Sequence, residues 1–412
     1  MPILDTTLPA PKQALDDLAF FGGRPAFPEP LHVGRPNIGN REKFLTRVND
    51  TLDRKWLTND GRYVIQFEKR LAELTGVKHC LAMCNATIAL EIVIRALGLK
   101  GQVILPSFTF IATAHVLQWQ DITPVFCDID PRTHTIDPEK VEALITPETT
   151  GILAVNLWGW HCDIAALEEI ARRRGLKLLF DSAHALGCSY KDRMIGGFGD
   201  AEVFSFHATK FVNSLEGGAV LTNDDELARK TRLMRNFGFV AYDQVASIGT
   251  NGKMSEVSAA MGLTNLESID EFIAINRRNH KQYAAELAGL KGITVLSNDD
   301  QKKRNYQYVV LEIDAAETIV SRDELMQILY RENILARRYF YPGCHRMAPY
   351  NSYLSSLSLP QTEKVSERVL SLPTGTSISP ADISTICGVI RMVVNNGREV
   401  SAKLRSQAAT ST

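Results

Sequence analysis

The chemistry of this chain gathers around one lysine. With histidine counted as neutral, Lys210 is the only charged residue between Glu202 and Glu216, in the stretch VFSFHATKFVNSLEGGAV from Val203 to Val220. A lysine in an apolar setting loses hydration, its amine pKa falls, and the neutral amine can attack a carbonyl. Ser205, five residues earlier, and Thr209, immediately before it, carry hydroxyls suited to a phosphate. A lysine that holds an aldehyde beside hydroxyls that hold a phosphate is what pyridoxal phosphate requires of a protein. The competing reading is a surface lysine that follows a buried strand.

Three further groups fit the same ligand. Asp181 closes the run LKLLFD, and a carboxylate at the carboxyl end of a buried strand is costly unless paired. Paired with a protonated pyridine nitrogen, it would keep the ring an electron sink; otherwise it caps the next turn. His184, three residues on, would lie over or beside that ring, or serve as a hydrogen-bonded structural histidine. Asn85-Ala86-Thr87 falls between a strand and a helix, where outward amides suit a phosphate or where Asn85 is an ordinary N-cap. The 29 residues from Asp181 to Lys210 leave room for a loop, the hairpin-like KDRMIGGFGD and a return strand, so both groups can meet one ligand.

The elements that must position these groups alternate. KHCLAMC, QVILP, TPVFCDID, TGILAVNLWG and LKLLFDSAHA read as strands. Between them ATIALEIVIRALG, TFIATAHVLQWQ, PEKVEALI and DIAALEEIARRRG read as helices. Strands this apolar, separated by helices, predict an α/β fold with a mostly parallel central sheet covered on both faces and a ligand at the strands' carboxyl ends. Helical patterns also cover about 41–55 and 64–75, DDELARKTRLMRNFG and much of 254–290. Near 291 the cadence changes: QYVVLEI is a strand, and RDELMQILYREN, TEKVSERVLSL and PADISTICGVIRMVVNNG are helices. The expected organisation is an N-terminal arm over 1–40, a large domain over 41–291 and a smaller α+β domain over 292–412. The arm is expected to pack against the small domain, and the tail SAKLRSQAATST to fray.

Composition narrows the function classes. At 412 residues two domains are expected, and 45% hydrophobic with 23% charged residues describes a soluble globular chain. A net charge of −1 gives no reason to expect nucleic acid or an anionic membrane as partner. No apolar run reaches the roughly 18 residues of a membrane span, and MPILDTTLPAPKQ lacks the features of a secretion signal. Seven scattered cysteines without a C-x-x-C pair suggest free thiols, a cytoplasmic location and no structural metal site.

PSFTFIAT, DSAHALG, SFHATKFVNSLEGGAV and NGKMSEVSAAMGL, taken together, resemble the nucleotide-sugar aminotransferases of the DegT/DnrJ/EryC1/StrS family. The resemblance spans about residues 18–400. LAFFGG, CNAT, SFHATK followed by FVN, and YFYPGCH bring it closest to 4-aminotransferases of dTDP-4-keto-6-deoxyglucose. It implies the aspartate-aminotransferase fold, fold type I, and bound pyridoxal phosphate that passes through its pyridoxamine form. Lys210 would be the Schiff-base lysine and proton shuttle, Asp181 the partner of the pyridine nitrogen, and His184 the neighbour of the ring hydroxyl. Phe110 would stack on the ring, and Ser205 with the amides of Ala86 and Thr87 would hold the phosphate. Asn251 would reach the phosphate of the neighbouring subunit, which implies a homodimer with shared active sites. Arg337, in ARRYFYPGCH, is a candidate for the diphosphate or a carboxylate, with a surface arginine the competing reading.

The chain departs from the family pattern at two places. The usual Ser-Gly-Thr is Asn85-Ala86-Thr87, so the turn must keep φ negative or bear strain. The usual Asn-Tyr-Arg-Met is Asn251-Gly252-Lys253-Met254, and lysine lacks the planar fork of arginine. Related dehydratases carry histidine at the lysine position; Lys210 argues against their chemistry. The expected reaction moves an amino group from L-glutamate to the C4 ketone of a dTDP-4-keto-6-deoxy sugar. The alternatives are a C3 aminotransferase and a non-catalytic regulatory protein of the same fold.

Overall fold

The computed structural model describes residues 12–296 and 303–410. The expectation of no secretion signal concerns residues 1–11 in part, and these lie outside the described residues.

A short strand β1 (Leu31–His32) precedes two helices, α1 (Arg41–Arg54) and α2 (Arg62–Thr75). Then comes the alternation: β2 (His79–Met83), α3 (Ala86–Leu97), β3 (Gln102–Pro106), α4 (Ala112–Gln118), β4 (Thr123–Cys127), α5 (Pro138–Leu144), β5 (Thr149–Val155), α6 (Ile164–Arg174) and β6 (Lys177–Asp181). A hairpin of β7 (Ser189–Tyr190) and β8 (Arg193–Met194) follows, turning through Lys191 and Asp192 at positive φ. Next are β9 (Ala201–Ser205), β10 (Gly218–Thr222), α7 (Asp225–Arg235) and an exposed hairpin of β11 (Phe239–Ala241) and β12 (Gln244–Val245). The large sheet has seven strands in the order β2-β10-β9-β6-β5-β3-β4. The pairs β3–β4, β3–β5, β5–β6 and β6–β9 are parallel; β10 runs antiparallel to both β9 and β2.

Alternate side chains of each strand feed opposite faces of this sheet. Ile104, Ile152, Leu178, Phe180 and Phe204 pack on one face with α2, α5 and α6. Val103, Leu105, Leu153, Leu179 and Val203 pack on the other with α3, α4 and α7. Two-sided burial explains why the strands read as nearly continuous apolar runs. Local stops are equally legible: α3 begins at Asn85, whose Oδ1 accepts from Ile88 N at 2.8 Å, and ends at Gly98 with φ 73°.

Helices α8 (Glu256–Glu267) and α9 (Ile269–Glu286) lead to β13 (Ile293–Val295), β14 (Val309–Ile313), α10 (Ala315–Thr318), α11 (Arg322–Arg331) and β15 (Ile334–Leu335). The chain closes with α12 (Pro360–Arg368), β16 (Val369–Leu372), α13 (Pro380–Asn395) and α14 (Gly397–Thr410). An antiparallel sheet β13-β14-β16 and helices α11, α13 and α14 enclose a second core, which also takes in Leu15, Leu18, Phe27 and Leu31 of the arm. Buried Glu332 ties that arm down, accepting from Ala19 N at 2.5 Å and Ala26 N at 2.7 Å, while β1 pairs with β15.

Two expectations need correction here. The run TEKVSERVLSL is helical only to Arg368; Val369–Leu372 is a strand because it pairs with β14. Of the tail, residues 401–410 are helical in α14, which is held by buried Val400 and Leu404, whose spacing of four places them on one helical face; residues 411 and 412 lie outside the described residues.

Candidate active site

The carboxyl ends of β5, β6 and β9 open into a cavity of about 310 Å³. Lys210 stands at its wall, one turn beyond β9, with its backbone N donating to His207 O at 2.8 Å. The loop that carries it is clamped from three directions. Asn37 of the arm donates to Phe211 O at 3.0 Å, Gln307 accepts from Phe211 N at 3.1 Å, and Asn265 donates to Asn213 O at 2.8 Å. Gly34, at φ 74°, passes so close to Thr209 that a Cβ there would sit 2.9 Å from the threonine Cβ. Burial pushes the Lys210 amine down to about 8, against the opposing pull of the Asp181 charge.

Asp181 ends β6 and is buried. Its Oδ2 accepts from Thr113 Oγ1 at 2.9 Å and its Oδ1 from Ala183 N at 3.1 Å. Burial raises its pKa, and these two hydrogen bonds with the Lys210 charge pull it back. His184 is held well below the ordinary imidazole range by burial, with a smaller push from Lys210, and is therefore neutral. Its Nε2 lies 3.3 Å from the Tyr308 hydroxyl, whereas Nδ1 has no partner.

At the other end of the cavity, Ala86 and Thr87 are the first residues of α3. Their amides have no acceptor within the helix and carry its positive end. Asn85 is an N-cap and also lines the cavity, so the two sequence readings of that turn coexist. Ala86 begins the helix without positive φ, and the replacement of glycine there costs no strain. Gly218 makes the turn's close approach to β10 possible: a Cβ would lie 2.6 Å from Ala86 N. Ser205 ends β9 beside it, and Phe110 stands at the rim, 59% exposed.

The fold thus brings Lys210, Asp181, His184, Ala86, Thr87, Phe110 and Ser205 around one cavity. It does not bring Asn251 or Arg337 to it. Asn251 is exposed, in an extended segment whose next residue, Gly252, accepts from Cys84 N at 2.8 Å. Arg337 is exposed and bridges Ser371 through its backbone. Lys253, where the family pattern has arginine, donates to Asn236 Oδ1 at 3.0 Å and lies over the Phe237 ring.

Several lining residues escaped the sequence reading. Asn156 directly follows β5, Thr109 lies in the loop between β3 and α4, and Tyr308, Tyr339 and Phe340 come from beyond residue 300. Thr113, which holds Asp181, is the last residue of PSFTFIAT, whose position just after β3 is the signal for it. Among the described residues no group of three or more His, Cys, Asp or Glu is arranged to hold a metal. All seven cysteines are free, and among the described residues no helix is long and apolar enough to cross a membrane.

The residues present fit pyridoxal phosphate. The partly desolvated amine suits its aldehyde, the buried carboxylate its ring nitrogen, the unpartnered His184 Nδ1 a ring substituent, and the helix amides with Ser205 its phosphate.

Comparison with known proteins agrees with this constellation. The chain is 37% identical over 365 residues to the dTDP-4-amino-4,6-dideoxy-D-glucose transaminase of Shigella dysenteriae, covering 89% of this chain and 99% of that one. It is 35% identical over 370 residues to the GDP-perosamine synthase of Caulobacter vibrioides, covering 88% and 98%. Among solved structures, DesI in the presence of its TDP-sugar product superposes with a TM-score of 0.92 at 49% identity, covering 95% of this chain and all of that one. PseC of Helicobacter pylori, an aminotransferase, superposes with a TM-score of 0.83 at 27% identity, covering 88% of this chain and 99% of that one, and the mostly parallel sheet covered by helices is the fold type I architecture. The family model of DegT/DnrJ/EryC1/StrS aminotransferases matches residues 39–391, the span that carries every cavity-lining residue, and the chain belongs to that family of sugar nucleotide aminotransferases.

Proposed function

We propose that this enzyme transfers the amino group of L-glutamate to the C4 ketone of a dTDP-4-keto-6-deoxy sugar. The products are 2-oxoglutarate and dTDP-4-amino-4,6-dideoxyglucose. The observation that carries the reaction type is the desolvated Lys210 amine in one cavity with buried Asp181, beneath a helix N-terminus. The choice of sugar is supported by the likeness to the Shigella transaminase and to DesI with its TDP-sugar product.

Pyridoxal phosphate, when bound, supplies an electron sink that makes a carbon next to nitrogen acidic. The chain's residues do the rest. Ser205 and the amides of Ala86 and Thr87 would hold the phosphate, and Phe110 would cover a ring face. Asp181 would pair with the protonated ring nitrogen; Thr113 and Ala183 N hold its carboxyl in place and oppose the upward pull of burial on its pKa. Lys210, half neutral near pH 8, would hold the cofactor's aldehyde and, with the donor amine in its place, would accept the proton from the donor's Cα. In the second half the same amine would deliver a proton to C4 of the sugar. One base serves both halves because it stands beside the bond that changes.

The working unit in this proposal is a homodimer. An exposed apolar surface adjoins α7 and includes Phe237, Phe239, Val240, Tyr242 and Val245. It leads directly into Asn251, and a second copy is proposed to cover it and receive that asparagine. The free thiols fit a cytoplasmic location. The test is turnover with glutamate and a panel of 3-keto and 4-keto sugars on dTDP and GDP, with NMR of the product. A new C–N bond at C4 of the dTDP sugar is expected; amination only at C3, or only of a GDP sugar, would replace this substrate assignment.

A further inference from the structure

We propose that Tyr308 is a positioning residue for this reaction. Its phenol donates to His184 Nε2 and so fixes the imidazole as the tautomer that carries its hydrogen on Nδ1. The inference rests on the reading of the cavity as a pyridoxal phosphate site.

His184 and Tyr308 both line the cavity and are both buried, at 7% exposure each. They come from opposite ends of the chain's long-range topology, His184 from the loop after β6 and Tyr308 from the residue before β14. Their rings lie 4.7 Å apart between centroids, and the hydroxyl is 3.3 Å from Nε2. The imidazole cannot turn away freely. It stacks at 24° on Trp158 and at 15° on Phe340, and its backbone O accepts from Asn305 Nδ2 at 2.8 Å.

A neutral imidazole offers one donor and one acceptor. Two arrangements therefore satisfy the contact. If Nε2–H donated to the phenol oxygen, the phenol's own hydrogen would have no acceptor, and Nδ1 would be a bare lone pair with no donor. Two buried groups would then be unsatisfied. If the phenol donates, one group is left over, the Nδ1–H. The second arrangement is cheaper by one buried polar group. Burial keeps the phenol protonated and the imidazole neutral, which agrees with it.

The remaining Nδ1–H is then a fixed donor beside the cavity. It can serve an oxygen on the ring that Asp181 and Lys210 hold, without adding charge. Without Tyr308 the imidazole could place its hydrogen on Nε2 and present a lone pair to that oxygen instead.

The experiment uses the full-length protein labelled with 15N-histidine, first free of cofactor. Long-range 1H–15N spectra report the tautomer of His184, whose signals are identified by their loss in His184→Gln. The native protein is expected to carry the hydrogen on Nδ1, and Tyr308→Phe to shift His184 wholly or partly to Nε2–H. With pyridoxal phosphate, Tyr308→Phe is expected to raise the cofactor dissociation constant about tenfold, the scale of one lost hydrogen bond. In the His184→Gln background the same change is expected to add nothing, because an amide carries its own donor. A native His184 with its hydrogen on Nε2, a tautomer unchanged in Tyr308→Phe, or fully additive losses would overturn the proposal. The native measurement decides even if the variant is unstable. Failure to take up pyridoxal phosphate at all would count against the proposed function, and the tautomer measurement would still decide the role of Tyr308.

Discussion

The Thr113 hydroxyl lies 2.9 Å from Asp181 Oδ2, and both residues are buried. The same hydroxyl lies 3.1 Å from Thr109 Oγ1, so the threonine links the helix after β3 to the end of β6. A carboxylate this deep keeps its charge only through such partners. Asp181→Asn is expected to keep the fold and lower transamination by roughly 10²- to 10⁴-fold, the scale of losing an acid–base partner. Thr113→Val removes a hydrogen bond to the charged form, so the Asp181 pKa rises and the acid limb of the rate profile moves to higher pH. Steady-state rates across pH check both. Near-normal turnover of Asp181→Asn would reduce Asp181 to a turn cap.

The Lys210 amine gives a stability signature of known sign. Its pKa falls from 10.5 unfolded to about 8 folded. Between those values the unfolded chain binds more protons, so native stability rises with pH across that window. Below pH 8 the buried charge is a cost, and Lys210→Met should be more stable than the native chain when both lack cofactor. The gap should narrow as pH climbs from about 8 and vanish near 10.5. Urea unfolding at a series of pH values measures it. A gap independent of pH would mean that the amine is well hydrated.

Subunit exchange tests the shared site. Asn251 is exposed and absent from the wall of its own chain's cavity. If it serves the neighbour, mixing Lys210→Ala with Asn251→Asp protein should produce hybrids with one intact site. That site pairs Lys210 from the second variant with Asn251 from the first. Asn251→Asp alone should be damaging, because it sets a carboxylate against a phosphate. Hybrids verified by mass but no more active than either parent would place Asn251 outside the cofactor site.

What could be read from the sequence was what local pattern encodes. The parallel strands were visible because burial on both faces makes them uniformly apolar, and the helices between them because caps such as Asn85 and Gly98 mark their ends. The direction of β10 was harder. The 12 residues from Phe206 to Gly217 are given to the lysine loop and hold no crossover helix, so the chain returns as a hairpin beside β9. Lys210, Asp181 and Ser205 are legible because Asp181 and Ser205 end recognisable strands and Lys210 follows one. Tyr308 is not, because its meaning comes from His184, 124 residues away, and its own stretch reads only as a strand. The Ser, Ala and Thr content of the tail hides its helix, which is anchored by Leu404 and, one helical turn earlier and just before the tail, Val400.

The central claim is that Lys210 itself holds the cofactor, and borohydride reduction addresses it directly. The purified protein, loaded with pyridoxal phosphate, is reduced, digested and mapped by mass spectrometry. A stable adduct on the peptide that contains Lys210, lost in Lys210→Ala, is the expected result. An adduct on a different lysine, or none, would contradict it.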